Sequence, residues 1–508
     1  MNRLKSLSPM VKTALIAFMA FFIWQAYLIV RYKGMYAFDE MYHISSSDAY
    51  FHSISEYDRA PYLNWIVRFL TSIFGRHYYT YKMIPFVLSL VSIGSLLYLA
   101  SKLFQHTYNV ILFTLLCAGH CVLIYNHLYV RMYVWDEAII ALLAIIIYKL
   151  SHVTSLYKRI GLHILYFGIS AILYIIQPSE QSSISVLFVG IAAWCLNYLG
   201  QHLIPFLKSR RLLIPVLCLF ILILLGAECI LLLLRADNPP IPSFLSKVVD
   251  AFRRVTKFDT IGIGMPNFTL YFICQNLLLS IGLFGYGYSL LKDKFEKNNM
   301  IGIYSLALLP FLAYNMLYFD NGLFRSFVSF MPILILITIL WLDHFTDTRL
   351  YRYVSLIAVL ITIFFSNPGL KQNPIKNMIT FFQNPYIYNE TYFNEYEALI
   401  NQACEDIKNG RKCIGIFSGM HQQAAFELNA EYSIALEDSV NVPVGYTAED
   451  LELLLTYLSE TNEQYVLLIG THATWRVDGL IPGTMEYLRE TYPYKRYGYQ
   501  DAFLFYIN

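Results

Sequence analysis

Runs of apolar residues long enough to cross a lipid bilayer recur along this chain as far as residue 366, and no other feature constrains its fold as tightly. The first, "PMVKTALIAFMAFFIWQAYLIV", contains one charged residue, Lys12. About 20 consecutive apolar residues, rising ~1.5 Å each as a helix, match the ~30 Å hydrocarbon core. Read in order, such runs predict spans near 12–31, 81–104, 108–128, 133–150, 160–177, 182–201, 212–235, 267–291, 300–319, 324–342 and 350–366. That makes about eleven transmembrane helices by hydropathy. A chain of 508 residues that is 57% hydrophobic and 14% charged also has too little polar surface for a soluble fold of this length.

The charges report orientation. With the N-terminus cytoplasmic, alternate loops carry Lys149, Lys158 and Arg159, then Lys208, Arg210 and Arg211, then Lys292, Lys294 and Lys297, then Arg349 and Arg352. This satisfies the positive-inside rule on every second loop. The opposite loops (32–80, "NHLYVRM", "QPSEQ", 236–266 and "DNGLF") are then exoplasmic, as is everything after the last span. The start, "MNRLKSLSPMVK", reads as an uncleaved signal anchor, because a long apolar run follows without a small-residue cleavage site. The net charge of +2, with basic residues in short clusters, gives no reason to expect a nucleic-acid partner. Membrane lipids are the surroundings that the composition demands.

The segment 367–508 is a different kind of sequence. "KCIGIFSG", "QYVLLIGTH" and "DAFLFYIN" read as buried strands and "HQQAAFELN" as a helix, which predicts a small exoplasmic α/β domain behind the linker "SNPGLKQNP". The expected fold is therefore mainly α: a polytopic helical bundle over 1–366 with this domain over 367–508. Cys404 and Cys413 fall outside the cytoplasm, where either a disulfide or two thiols can persist.

Several chemistries find no support in the sequence. Cys117, His120 and Cys121 have metal-compatible spacing, but on an apolar span with no carboxylate beside them they read as packing residues, so no metal ligand is assigned. "IGIGMP" lacks the third spaced glycine and the helix start of a phosphate-binding loop. No P-loop is present, nor an Asp-x-Asp pair in a cytoplasmic loop, so a cytosolic nucleotide donor is not expected.

Ionisable residues concentrate after the first span. The stretch "MYAFDEMYHISSSDAYFH" holds Asp39, Glu40 and Asp48 with His43 and His52. "EYDRAPYLNWIVRFLTSIFG" then has the pattern of an amphipathic, aromatic-rich helix lying along the membrane surface. An acidic pair after the first span, followed by this kind of segment, resembles the GT-C membrane glycosyltransferases, in particular the protein O-mannosyltransferases and lipid A aminoarabinose transferases. The matching residues are Asp39 and Glu40, then Asp58, Pro61 and Tyr62, and the "IFG" ending at Gly75. "YNHLYVRMY", with Arg131 and Tyr133, resembles the family's Arg-x-Tyr segment; "FRSFVSFMP", with Arg325 and Pro332, resembles its late arginine-to-proline segment. The chain departs from the family in three places: "AP" replaces a doubled proline, Tyr129 and Val130 replace the acidic residue before the fourth-span arginine, and Asp136 and Glu137 enter a stretch that is usually apolar.

The resemblance implies an inverting transfer of a sugar from a polyprenyl-phosphate donor to a hydroxyl of a glycan, lipid or protein, on the exoplasmic face of a bacterial cell or inner membrane. Such a reaction needs a base for the acceptor proton and positive charge for the departing phosphate. Asp39 and Glu40 are adjacent and diverge by ~100° on a helix, so only one can readily face a cavity. By resemblance Asp39 is the catalytic base and Glu40 its neighbour, with Arg131, Tyr133, Arg325, Asp58 and Tyr62 as substrate-binding candidates. No cofactor is required by the motifs; a divalent cation stays open.

The competing readings are plain. An acidic pair outside a span can be solvated loop, and arginines at span ends can snorkel to lipid headgroups. A polysaccharide polymerase or ligase would use a large late loop, and 236–266 holds Arg253, Arg254 and Asp259. A flippase or transporter would need ionisable groups in mid-membrane and repeated halves, for which Glu228, toward a span end, is the main candidate.

Overall fold

The structure is a computed structural model that describes residues 7–32, 61–75, 78–130, 132–176, 186, 189–195, 260–261, 265–266, 275–292, 307–308, 328–345, 348–366, 379, 382, 402–403, 405–416, 447–469, 471–497 and 502–507. The chain divides into two compact units, one of Met1–Leu28, Pro85–Leu128 and Met132–Gln383, the other of Ile29–Ile84, Tyr129–Arg131 and Asn384–Asn508.

Helix α1 (Pro9–Arg31) begins where Pro9 supplies a preset φ and the Ser8 hydroxyl accepts from the Val11 amide at 3.3 Å. Helix α2 (Pro61–Phe74) is the amphipathic helix expected from the sequence; at 14 residues it is too short to cross a ~30 Å hydrocarbon core. Helix α3 (Tyr78–Leu103) and α1 are each long and apolar enough to span a membrane. The run near 108–128 does not form one helix. It breaks into α4 (Thr107–Gly119) and α5 (Cys121–Leu128), bent by 64° at His120. Helices α6 (Met132–His152) and α7 (Leu156–Ile176) follow the expected spans. Strands β1 (Thr260–Ile261) and β2 (Met265–Pro266), within "TIGIGMP", pair antiparallel. Helices α8 (Leu277–Lys292), α9 (Met331–Asp343) and α10 (Arg349–Phe365) lie in three further apolar runs, each shorter than 18 residues as described. The spans expected near 212–235 and 300–319, and most of 182–201, lie outside the described residues.

The helical core is built around α9, whose residues are apolar on every side and buried from Met331 to Leu340, as a helix without a polar face must be. Two glycines let α8 approach it. A Cβ on Gly282 would stand 2.6 Å from Thr338, and one on Gly285 would stand 2.6 Å from the Trp341 indole nitrogen. Without a hydrophobic drive between helices in lipid, such close backbone approach is what dispersion forces reward. Helix α10 is patterned outside-in: it exposes Leu350, Val354, Ile357 and Ile361 and buries Ser355, Val359 and Thr362. Asp343 pins the end of α9 to the start of α4, accepting from the Gln105 amide at 2.5 Å and from the Asn109 side chain, with His106 Nδ1 at 3.1 Å. A carboxylate there faces the positive end of the α4 dipole.

In the other unit, β3 (Lys412–Ile416), β4 (Tyr465–Ile469), β5 (Tyr494–Tyr497) and β6 (Ala502–Ile507) form a sheet in the order β3-β4-β6-β5, parallel between β3 and β4 and antiparallel elsewhere. Helix α11 (Ala448–Glu460) precedes β4, and α12 (Thr471–Leu480) and α13 (Thr484–Thr491) lie between β4 and β5. Leu451, Leu454 and Leu458 of α11 pack with Leu467, Ile469, Phe503 and Phe505 in one apolar cluster. The three expected strands are present, although the second stops at Ile469, where Thr471 starts α12. The helix "HQQAAFELN" and Cys404 fall outside the described residues; Cys413 is buried on β3.

Candidate functional site

Of the residues singled out by sequence, Asp39, Glu40, Asp58, Arg131 and Arg325 lie outside the described residues, and Tyr62 is placed only by its backbone, in the first turn of α2. Tyr133 is described in full. It sits in the first turn of α6, 7% exposed, and its carbonyl accepts a 3.0 Å hydrogen bond from the hydroxyl of buried Ser329. That contact joins "YNHLYVRMY" to "FRSFVSFMP", segments 196 residues apart. Val328 reinforces it by packing on Val122 of α5.

The break between α4 and α5 explains how α5 reaches this position. Inside a bilayer every backbone polar group needs a protein partner, so a helix can break only where neighbours replace the lost ladder bonds. Two do so here, and Asn276 holds the His120 side chain. The Trp24 indole donates to the Ala118 carbonyl at 2.9 Å, the Ser366 hydroxyl accepts from the Cys121 amide at 2.9 Å, and His120 Nε2 meets Asn276 Oδ1 at 3.0 Å. Gly119 has no room for a side chain, since a Cβ would come within 2.8 Å of Ile363. The break is therefore assembled from α1, α10 and the residue before α8.

Past the break, α5 and α6 share a buried polar cluster. Glu137 accepts from Asn126 Nδ2 at 2.8 Å, and His127 Nε2 lies 2.9 and 3.2 Å from its two oxygens. The Gln25 amide donates to the His127 carbonyl at 2.9 Å, and Phe21 meets the imidazole edge-on at 5.8 Å. All four polar side chains are essentially excluded from solvent. Breaking such a buried pair by deleting one member costs about 3–5 kcal/mol.

In the other unit, Lys82 of α3 is fully buried, with its ammonium 5.5 Å from the centre of the Tyr78 ring. Tyr81 and Thr80 beside it are buried as well. A lysine enclosed in a span is expensive, which makes Lys82 a candidate functional residue.

No protein-family model and no curated protein sequence matches this chain. Among solved structures, the crystal structure of ArnT from Cupriavidus metallidurans bound to undecaprenyl phosphate aligns over 98% of this chain and 97% of that chain, with a TM-score of 0.53 and 12% identity. The fold is ArnT-like, of GT-C type. The same protein in its apo state aligns over the same shares at a TM-score of 0.50 and 11% identity. An ArnT-like fold with apolar helices of spanning length makes this an integral membrane protein.

Within the ArnT-like fold, sequence reasoning passed over Gln25, Asn126, His127, Glu137 and Lys82. The signal for His127 and Glu137 was present, because "YNHLYVRMY" and "VWDEA" put a histidine and two acids at the ends of apolar runs. Glu137 counted there only as a departure from the family pattern. Lys82 falls inside a predicted span, where any ionisable residue is a candidate by that fact alone. Cys117 and Cys121 are buried, and no group of three or more His, Cys, Asp or Glu that could hold a metal occurs among the described residues.

Proposed function

We propose that this ArnT-like protein is a glycosyltransferase that moves a sugar from a polyprenyl-phosphate carrier to an acceptor hydroxyl on the exoplasmic face of the membrane. The observation that carries the reading is the end-to-end likeness to a crystal structure of ArnT with undecaprenyl phosphate bound. A chain of such low identity that keeps the whole fold, and also has an acidic pair after its first span and arginines in two matching segments, is read here as keeping the lipid-phosphate chemistry.

In this mechanism Asp39 takes the acceptor proton while the acceptor oxygen bonds to the anomeric carbon. The bond from that carbon to the phosphate oxygen breaks, and polyprenyl phosphate departs. Glu40 is the alternative base. Arg131 and Arg325 present planar guanidinium groups to the phosphate oxygens, which gather charge in the transition state. Buried Lys82 adds a fixed positive charge, and Tyr133, Asp58 and Tyr62 are assigned to the sugar and acceptor. A requirement for a divalent cation is tested by chelation.

The test is transfer itself. Purified protein in liposomes, given polyprenyl-phosphate sugars, should release polyprenyl phosphate in step with acceptor glycosylation, and cells lacking the protein should lose one mass increment from a surface glycan, lipid or protein. No release from any such donor, with unchanged envelope glycans, would overturn the reading. The exoplasmic assignment has its own check: single cysteines near Asp58 and in the tail should react with an impermeant thiol reagent on intact cells, and one near Lys294 should not.

A further inference from the structure

We propose that the hairpin between α6 and α7, together with the outward face of α7, binds one anionic phospholipid: Lys149, Lys158 and Arg159 hold its phosphate, and Gly161 and Gly168 seat an acyl chain. All five residues belong to one compact unit. The inference is independent of the glycosyl-transfer reading and needs only that the protein resides in a membrane.

Cations dominate this end of the bundle. From residue 138 to residue 179 the sequence has no Asp or Glu, while Lys149, Lys158 and Arg159 flank the short connection 153–155. Among the described residues no carboxylate pairs with any of the three. Lys102 of α3 adds to them: its ammonium lies 5.9 Å from the centre of the Tyr98 ring, and Tyr98 acts electrostatically on Tyr148, the neighbour of Lys149. Asp343, an acid at the same end, is already engaged by Gln105, Asn109 and His106. Arg159 does not trail freely toward water. Its Nη2 donates to the Val153 carbonyl at 3.1 Å, and its Nε is buried without a partner. Lys158 and Arg159 also stand in the first turn of α7, where the helix dipole repels a cation. A phosphate beside them removes that conflict and meets the leading amides of α7, which no helix satisfies internally.

The face below the cations suits a hydrocarbon chain. Lys158, Gly161, Leu165 and Gly168 follow at intervals of three and four residues, so they share one side of α7, and all four are exposed. A Cβ on Gly161 or Gly168 would meet nothing within 4 Å. The glycines therefore leave notches in a face otherwise made of exposed Tyr157, Ile164 and Leu165. An apolar, notched surface directly below a phosphate site fits a phospholipid, whereas free phosphate has no use for it. The polyprenyl carrier is assigned elsewhere. Lys149 stands 16 residues along α6 from Tyr133, ~24 Å at ~1.5 Å per residue, which places this site in the opposite leaflet.

The experiment takes full-length protein, delipidated in detergent, and titrates it with phosphatidylglycerol or phosphatidylcholine, reading bound lipid and oligomeric state by native mass spectrometry. One phosphatidylglycerol should bind in preference to phosphatidylcholine, and excess inorganic phosphate should not displace it. Lys158→Gln with Arg159→Gln should weaken phosphatidylglycerol binding by about tenfold or more, while Arg349→Gln, at another basic loop, should leave it unchanged. Should Arg159→Gln loosen the connection, Lys149→Gln with Lys158→Gln tests the same charge without touching the Val153 contact and should show the same loss. Gly161→Leu with Gly168→Leu fills both notches and should lower binding several-fold; leucine favours a helix over glycine, so α7 is retained. Equal binding of the two lipids, displacement by inorganic phosphate, or an equal loss in Arg349→Gln, as non-specific snorkelling predicts, would each overturn the inference. So would a change of oligomeric state without lipid loss in the leucine variant, which would make this face a contact between copies of the chain.

Discussion

The hydroxyl of Ser329 donates to the carbonyl of Tyr133 at 3.0 Å, and both residues are buried. Tyr133 lies in the first turn of α6, and Ser329 precedes α9, a helix buried from Met331 to Leu340. One hydrogen bond thus ties together the two segments whose arginines are assigned to the donor phosphate. Replacing Ser329 with Ala removes the bond at a cost of about 0.5–1.5 kcal/mol and leaves the surrounding apolar packing in place. The expected outcome is a small drop in thermal midpoint with a several-fold loss of transfer. An unaltered transfer rate would show that the contact serves folding alone.

Asp39→Asn keeps the shape of the side chain and removes its basicity. Transfer should fall by about two to four orders of magnitude while membrane insertion and binding of polyprenyl phosphate persist. Near-normal turnover would pass the role of base to Glu40.

Arg131→Lys and Arg325→Lys each keep the charge and lose the bidentate fork. Turnover at saturating donor should fall in both, because the interaction strengthens as the leaving phosphate gathers charge. Arginines that only snorkel to headgroups would tolerate the exchange. Together the two changes should cost less than the product of the separate losses if they grip one phosphate.

Gly282 is predicted to tolerate no side chain. A Cβ there would lie 2.6 Å from Thr338 on α9, so Gly282→Val should destabilise the helical unit by about 1–3 kcal/mol, read as a lower midpoint in detergent. A methyl group on Gly161 of α7 would meet nothing within 4 Å, and Gly161→Ala should be neutral or stabilising by up to about 1 kcal/mol.

The tail carries a titration that can be followed directly. Burial raises the Tyr506 hydroxyl to about 12, with the Asp406 charge acting in the same direction and Arg411 opposing it. The folded state therefore holds this proton more tightly than the unfolded chain, whose tyrosines ionise near 10. The stability it contributes is complete below about pH 10 and is lost as pH rises toward about 12. In full-length protein, Tyr506→Phe should delete a phenolate signal that appears late in an alkaline absorbance titration, and Asp406→Asn should bring that signal to lower pH. A Tyr506 phenolate already formed at pH 10 would contradict the assignment.

What the sequence by itself determined was whatever a local pattern can encode. Apolar runs of spanning length prescribed membrane residence, a 3.6-residue stripe predicted α2, and short apolar runs located β3, β4 and β6. It missed β5, "YKRY", because an exposed edge strand with two cations has no apolar alternation to read. Tertiary structure alone decided the break at His120, since hydropathy sees an unbroken run, and Trp24 and Ser366 supply backbone partners from elsewhere in the chain while Asn276 holds the His120 side chain. It also decided that Glu137 faces Asn126 and His127, and that Ser329 meets Tyr133 across 196 residues. A hydrogen bond in a low-dielectric interior is fixed by which groups meet, and chain pattern carries no record of meetings at that distance.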